Sequence, residues 1–515
     1  MKHPVVLRPA LWPLALVAIA YHAAFVWRAS FVVDGARYFC LFDDAMISMR
    51  YARHLAGGQG LVWNPGEPPV EGFSNPLWTL VMSAVHFVPL PPRLLGILVE
   101  ALGSLLLVAL LFAVRGLCVR LVERGAPRAL PWVAMVLVGS YQPLVFWTLE
   151  GTEVGLLALW ATVAAILLLD GCRLGATYAL LAAGTLVRMD FAVIALALAA
   201  GVAVLDRGRA ATHAATAAMT LLAALALQTA ARWLYFHDPL PNTYYLKLTG
   251  YPIGARVLQG LAVLWDTIVL SRGLLVLLPA LGLALAPPGA RARVLVLTIP
   301  FVATCGYSVW VGGDAWEGAI ATNRYLCVTV PLLLIAAAWP LAWLAQRVAR
   351  GRRGEPALAA FAAVACALVI APWRATTLIE PPAYREVNAE NTARAVAAVG
   401  LVREGGSVAA AAVGAIGYYT DRRIVDLLGK SDRHVARLPM HRASKSGLHF
   451  VPGHLKWDYA WSIGELKPDV VAQLWWNPRE AQPFFERDYD VVRAVVDGRS
   501  LDLGVRRGSR FTVAP

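Results

Sequence analysis

Apolar stretches of bilayer-crossing length recur along the first three quarters of the chain, separated by short polar gaps. A hydrocarbon core about 30 Å thick takes roughly 20 apolar residues of helix. On that measure the candidate spans are 11–29, 94–114, 132–149, 153–169, 215–236, 270–286, 294–311, 325–345 and 357–373. Two shorter runs, 177–187 and 191–205, flank Arg188-Met189-Asp190. Another short run, 76–90, meets Pro89, Pro91 and Pro92 and reads as a juxtamembrane or partly inserted helix. Beyond residue 375 charged residues become frequent and no run could span. There Ser407–Val413, Arg423–Leu427, Pro468–Leu474 and Asp490–Val496 read as short strands between helices or loops. The pattern predicts an α-helical polytopic membrane protein, residues 1–374, with about 11 transmembrane helices. A small extracytoplasmic α/β domain, residues 375–515, follows.

Composition agrees. The 515 residues are 58% hydrophobic and only 15% charged, where a soluble domain carries about 25% charged residues. The net charge of +13 does not make a nucleic-acid footprint, because the arginines share no face. They cluster in gaps between apolar runs: Arg115, Arg120, Arg124 and Arg128; Arg207 and Arg209; Arg291 and Arg293; Arg347, Arg350, Arg352 and Arg353. Such gaps mark cytoplasmic loops. The N-terminus, with Lys2 and Arg8, then starts inside, and everything after about residue 375 lies outside. The first segment shows no small-residue cleavage site and is expected to stay in the membrane. None of the six cysteines lies beyond Cys366, so no disulfide framework holds the outer domain. No zinc spacing, phosphate-binding Gly-rich loop or internal repeat is visible.

On this topology the unusual polar residues fall on the outer side. The first loop opens with Asp43 and Asp44 and contains Glu71 and Asn75. Glu150 and Glu153 follow one span, and Arg188 with Asp190 separates the two short runs. His237, Asn242, Tyr244 and Lys247 follow another, and Asp314 and Arg324 a third. Convergent carboxylates, cations and aromatics at one depth are what a membrane-facing active site needs. Each also has a structural reading: Asp43 and Asp44 as helix caps, Glu150 and Glu153 as caps, Arg188 and Asp190 as an ion pair. Lys247 stands out because the chain has 40 Arg against six Lys, and Lys247 alone lies between Lys2 and Lys430. A compact ammonium suits a phosphate oxygen.

The segment Asp43–Trp78, DDAMISMRYARHLAGGQGLVWNPGEPPVEGFSNPLW, resembles the first extracytoplasmic loop of GT-C-type glycosyltransferases, closest to the AftB-type arabinofuranosyltransferases. PNTYYLK at 241–247, GGD at 312–314, Asn323-Arg324-Tyr325, AIGYYTDRRIVDLLGKSDRH at 415–434 and PGHLKWD at 452–458 resemble further blocks of that family. LVRMD at 186–190 departs from the Arg-Pro pairing expected there. The resemblance implies a bacterial plasma-membrane enzyme that takes sugar from a polyprenyl-phosphate donor on the outer face. The acceptor would be a cell-envelope glycan or glycolipid. It implies an acid early in the first loop, with Asp43 the better match and Asp44 the second, acting as base or metal ligand. A divalent cation (Mg²⁺, Mn²⁺ or Ca²⁺) held by Asp43 or Asp44 stays open. Lys247, Arg188 and Arg324 are the candidates for neutralising the departing phosphate. His434, His454 and Lys456, with Trp457 and Asp458, give the outer domain groups suited to a glycan. The alternative reading is a transporter or flippase of an envelope lipid or sugar, against which stand charges at one face rather than at mid-membrane.

Overall fold

The computed structural model describes residues 11–171, 174–315, 322–349, 360–361, 363–366, 378–441 and 450–513. Helix α1 (Leu11–Ala29) leads into a hairpin of β1 (Phe31–Val33) and β2 (Ala36–Tyr38), then α2 (Asp43–Ala56) and α3 (Pro76–Val85). The bundle continues with α4 (Pro92–Val122), α5 (Leu130–Gly139), α6 (Gln142–Leu149), α7 (Val154–Leu169), α8 (Leu174–Val187), α9 (Phe191–Leu205) and α10 (Ala210–Phe236). After the short α11 (Asn242–Leu248) come α12 (Ile253–Leu270), α13 (Leu274–Leu285), α14 (Pro288–Val311), α15 (Arg324–Cys327) and α16 (Val330–Ala349).

Among the described residues six helices, α1, α4, α10, α12, α14 and α16, are long and apolar enough to cross a bilayer, and α5 with α6, bent by 52°, amounts to a seventh. Five shorter apolar helices, α3, α7, α8, α9 and α13, pack among them. The protein is a multi-pass membrane protein. The expected run 270–286 is helix α13, and ahead of it stands a helix that was not expected, α12, separated from it by a break at Ser271–Gly273 where Arg272 and Gly273 have positive φ. Arg256 and Asp266 interrupt the apolar pattern of 253–270 and hid α12 from a hydropathy reading. The expected span 357–373 lies outside the described residues except for 360, 361 and 363–366.

Between helices the interfaces use small residues, as close packing in lipid requires. A Cβ on Gly282 of α13 would meet the Ala336 carbonyl of α16 at 2.0 Å, and one on Gly260 of α12 would meet Val309 of α14 at 2.4 Å.

The C-terminal region starts with α17 (Arg385–Leu401) and builds a five-stranded sheet in the order β4-β3-β5-β7-β6. Strands β3 (Ser407–Ala410), β4 (Arg423–Asp426) and β5 (Val470–Val471) pair in parallel. Antiparallel β7 (Arg499–Arg506) and β6 (Tyr489–Val496) extend the sheet. Two short helices, α18 (Val413–Thr420) and α19 (Arg433–Arg437), follow β3 and β4. The apolar core on one side of this sheet is continued by the first loop: Val408, Ile416 and Ile424 cluster with Met46, Met49, Tyr51 and Trp63. Helix α18 lies directly on α2, so close that a Cβ on Gly414 would meet the Asp43 carbonyl at 1.9 Å. Buried Arg50 of α2 locks the contact. Its guanidinium donates to the carbonyls of Trp63 (3.0 Å), Gly417 (2.5 Å) and Arg422 (2.8 Å) and to Asn64 Oδ1 (3.1 Å).

Candidate active site

The start of α2 is fixed from two sides. The Phe42 N–H donates to the Glu150 carbonyl (3.0 Å) at the α6–α7 corner, and Asp43 Oδ1 accepts the Ala415 N–H of α18 (3.0 Å). The next carboxylate is a charge hub. Asp44 Oδ1 lies 2.5 Å from Lys430 Nζ, and Oδ2 lies 2.9 Å from Arg324 Nη1. Arg324 turns its other edge to Asp314, with Nε–Oδ2 2.6 Å and Nη2–Oδ1 2.9 Å. Asp43 Oδ2 is 4.0 Å from the same Lys430 Nζ. Adjacent carboxylates thus have unlike environments. Burial raises Asp43, and the Lys430 charge with the Ala415 N–H offsets this only in part. Burial would raise Asp44 too, but Lys430 and Arg324 outweigh it and hold that carboxyl well below the usual range.

A second network runs beside the first. Arg188, between α8 and α9, donates to Glu153 Oε1 (2.9 Å) and Asp190 Oδ1 (2.7 Å). Glu153 Oε2 accepts from Asn75 Nδ2 (2.8 Å), whose Oδ1 accepts from Ser48 Oγ of α2 (2.9 Å). Four chain regions are held in one plane of hydrogen bonds. The Arg188–Asp190 pair expected as structural therefore does both things: it braces the helix ends and keeps a guanidinium at the site.

Lys430 arrives on a turn built for it. Asp426 accepts the backbone N–H groups of Leu428 (3.0 Å), Gly429 (3.0 Å) and Ser431 (2.7 Å). From the other side the Asn242 amide donates to the carbonyls of Gly429 (2.9 Å), Lys430 (3.0 Å) and Asp432 (3.2 Å). The turn presses on the first loop, where a Cβ on Gly72 would meet Ser431 Oγ at 2.1 Å. Only glycine admits that approach.

These groups enclose a polar cavity of about 60 Å³ whose charged wall is Asp44, Glu153, Arg188, Lys247, Arg324 and Lys430. Asn75, Ser48, Thr152 and Tyr325 also line it. It adjoins a groove of about 360 Å³, more apolar, lined by Leu240, Pro241, Tyr244, Leu248, Tyr307, Trp310 and Val311. Ser74, Arg188, Thr243, Lys247 and Tyr325 belong to both walls. Among the described residues Lys247 has no ion pair or hydrogen bond. Gly453 lies so close that a Cβ there would meet its Cγ at 3.2 Å, and burial, followed by the Arg324 charge, lowers its ammonium.

The structure thus gathers Asp44, Asn75, Arg188, Lys247 and Arg324 at one cavity, with Tyr244 on the adjoining groove; Asp43 and Asp314 are not among the lining residues and meet the wall through Lys430 and Arg324. Other candidates stand elsewhere. Glu71 pairs with Arg232 of α10 (2.8 Å), and burial still pushes its carboxyl up to about 7. Glu150 is buried with Oε2 unpartnered, and burial pushes it up to about 8. His237 is the exposed left-handed cap of α10. Asn242 acts on the Lys430 turn rather than facing the cavity. Lys456 does not offer its charge to a ligand: the fully buried side chain donates to the carbonyls of Tyr245 (2.9 Å) and Ala436 (2.7 Å). His434 pairs with Asp458 (2.9 Å) against Trp461, outside the cavity wall. His454 is buried beside Trp475, its ring bonded to the Pro452 carbonyl (3.0 Å), and burial pushes it down to about 3, so it is neutral. A divalent cation does not fit this donor set. Asp44 is filled by two cationic side chains, and among the described residues no three His, Cys, Asp or Glu groups converge on a point.

Comparison with known proteins bears on the fold. The crystal structure of ArnT from Cupriavidus metallidurans bound to undecaprenyl phosphate superposes with a TM-score of 0.57 over 97% of this chain and 98% of that chain, at 13% identity. The apo ArnT structure from the same organism gives 0.55 over 96% and 97%, at 12% identity. The fold is that of ArnT. It is the GT-C architecture, a helical membrane bundle with a small C-terminal sheet domain. Residues 382–514 match a family model described only as a domain of unknown function, DUF8728. No curated protein matches the sequence.

Within this ArnT-like frame, sequence reasoning missed Lys430. Its signal was available: it is one of six lysines and sits in the block AIGYYTDRRIVDLLGKSDRH. Its surroundings are charged, so the rarity of a cation in an apolar segment, which exposed Lys247, gave no contrast. Ser48 and Thr152 were given no role either, and Tyr325 entered only within the block Asn323-Arg324-Tyr325, since a lone hydroxyl carries little signal.

Proposed function

We propose that this protein is a membrane glycosyltransferase. It moves a sugar from a polyprenyl-phosphate donor to a hydroxyl of a glycan or glycolipid acceptor, at the extracytoplasmic face of the plasma membrane. The observation that carries the reading is the charge of the cavity wall beside an apolar groove. Four cations (Arg188, Lys247, Arg324, Lys430) face two carboxylates (Asp44, Glu153), a surplus of 4 − 2 = 2 positive charges. An anion of one to two charges suits that wall, and the groove suits the first isoprene units of its tail. The ArnT neighbour was crystallised with undecaprenyl phosphate, a ligand of this chemistry. The likeness of Asp43–Trp78 to AftB-type loops supports arabinofuranose as the sugar.

Transfer then needs two things. The acceptor hydroxyl gives up its proton as its oxygen bonds to the anomeric carbon. The bond from that carbon to the phosphate oxygen breaks, and the leaving polyprenyl phosphate keeps the electron pair. Asp43 is the base: burial raises its carboxyl, and among the described residues Oδ2 has no ion pair but the distant one to Lys430, at 4.0 Å. Asp44, with both oxygens on cations, is the organiser that holds Lys430 and Arg324 in the wall. Lys247, unpaired and at the junction of cavity and groove, meets the charge that grows on the phosphate. No nucleotide takes part.

The test is product analysis by mass spectrometry. Purified protein is incubated with a polyprenyl-phosphate pentofuranose and envelope glycan acceptors. Wild type yields glycosylated acceptor and free polyprenyl phosphate, and Asp43→Asn loses about 10²–10⁴-fold in kcat while retaining its melting temperature. Full activity in Asp43→Asn would remove the base from this scheme, and absence of product with every donor would remove the scheme.

A further inference from the structure

Lys430 reaches the cavity from a different part of the chain than the other three cations, and its contacts exceed what docking needs. The C-terminal region is already fastened to the first loop by Arg50, and by Trp63 Nε1 and Asn64 Nδ2, which donate to the Ile424 carbonyl (3.2 and 3.0 Å). Nor does Asp44 need a second cation to be neutralised, since Arg324 sits 2.9 Å from its Oδ2. Yet six hydrogen bonds, three accepted by Asp426 and three donated by the Asn242 amide, shape the turn that holds Lys430. The side chain is 8% exposed, and that residual surface faces the cavity. A buried ammonium on a rigid turn, beside an unpaired lysine in a cation-rich wall, is arranged for an incoming anion.

We propose that Lys430 is a ligand of the donor phosphate, held in the resting site by Asp44 and drawn from it toward the phosphate when the donor binds. This rests on the transferase reading above and adds a second domain to its donor site. The groups facing Lys430 are Asp44 at 2.5 Å, Asp43 at 4.0 Å and Asp426, which shapes its turn; Lys247 and neutral His454 lie beyond. Those facing Asp43 are Lys430, Asp44, Cys40 and the Ala415 N–H. Lys430 is the charge that restrains Asp43 from rising further. Its departure toward the phosphate leaves Asp43 the stronger base. The acceptor is therefore activated only when a donor is in place, which guards against idle deprotonation.

The probe is undecaprenyl monophosphate, bound to the full-length protein in nanodiscs of neutral phosphatidylcholine, with undecaprenol as the uncharged control. Lys430→Met weakens phosphate binding by at least about tenfold, the usual effect of losing a charged hydrogen bond, and Lys430→Arg restores part of it. Asp44→Asn tightens binding by about threefold or more, because it removes the anion that competes for Lys430. In turnover assays Lys430→Met moves the acid limb of kcat/KM, set by the free enzyme in which Lys430 still faces Asp43, to higher pH. It leaves that of kcat in place, because in the donor complex Lys430 has already moved away; a purely structural lysine, beside Asp43 throughout, would move both limbs. Unchanged binding in Lys430→Met overturns the proposal and leaves the transferase reading intact. Should Lys430→Met not fold, Asp44→Asn decides alone: tighter binding supports the proposal, and equal or weaker binding overturns it. Wild type that prefers the monophosphate no more than undecaprenol overturns both readings.

Discussion

Neighbouring carboxylates with opposite shifts are the sharpest feature at the scale of single residues, and they make a signed prediction. The transfer needs Asp43 ionised, so kcat/KM falls as pH drops through its raised value, and the acid limb lies above that of an ordinary aspartate. Asp44→Asn removes a negative neighbour and leaves Lys430 to serve Asp43. In the free enzyme both changes lower Asp43, so the acid limb of kcat/KM shifts to lower pH; a pH profile of kcat/KM for purified Asp44→Asn checks it. Lys247 gives a prediction of another kind. If it meets charge that develops in the transition state, Lys247→Met lowers kcat by about 10²-fold with a smaller change in KM, and Lys247→Arg recovers only part. A rise in KM with kcat unchanged would instead mark a contact already made in the ground state. Arg188, Lys247 and Arg324 were legible in the sequence because an ion beside an apolar span is costly and conspicuous. Lys456 misled because a lysine in a polar domain gives no hint that its ammonium is spent on two carbonyls.

At the scale of elements, two hairpins went unread. Asp34-Gly35 turns β1 into β2 with φ of 50° and 68°, and Asp497-Gly498 turns β6 into β7 with φ of 47° and 76°. Asp-Gly is the residue pair that a tight hairpin favours, because both positions need positive φ. The expected strand Asp490–Val496 was found, but its partner β7 was missed with the turn. The first strands of the sheet read correctly because β3 and β4 are short apolar runs, as buried parallel strands are. The contact of α2 with α18 could not be read at all, since it joins segments 372 residues apart. It can be tested. Gly414→Ala places a methyl against the Asp43 backbone, with no flexible side chain to yield. Overpacking of this kind costs about 1–3 kcal/mol, so the variant melts several degrees lower and loses turnover; unchanged melting would show that the two helices are not held this tightly.

For the whole molecule, the distribution of charge along the chain sets an orientation in the membrane. Arg-rich gaps at one end of the bundle and the gathered polar clusters at the other predict that the cavity and the C-terminal domain face away from the cytoplasm. Reporter fusions ending near residues 120, 247 and 400 check this: periplasm-active reporters should work at 247 and 400 and fail at 120. Cytoplasmic signal at 247 would invert the molecule. The hydropathy pattern could locate most of the spans but not how the C-terminal region meets them, because that depends on particular side chains rather than on periodicity.

Arg50 carries a consequence for biosynthesis. Its guanidinium is buried near the N-terminus, yet two of its acceptors, the carbonyls of Gly417 and Arg422, lie 367 and 372 residues further along the chain. The ribosome makes α2 early and those carbonyls late, at about 5–20 residues per second. For tens of seconds the first loop therefore waits on the membrane surface with an arginine solvated and an apolar face uncovered. The site closes only when the last part of the chain has been made, so a prematurely terminated product can fill the membrane with helices and still lack the Lys430 wall of the cavity.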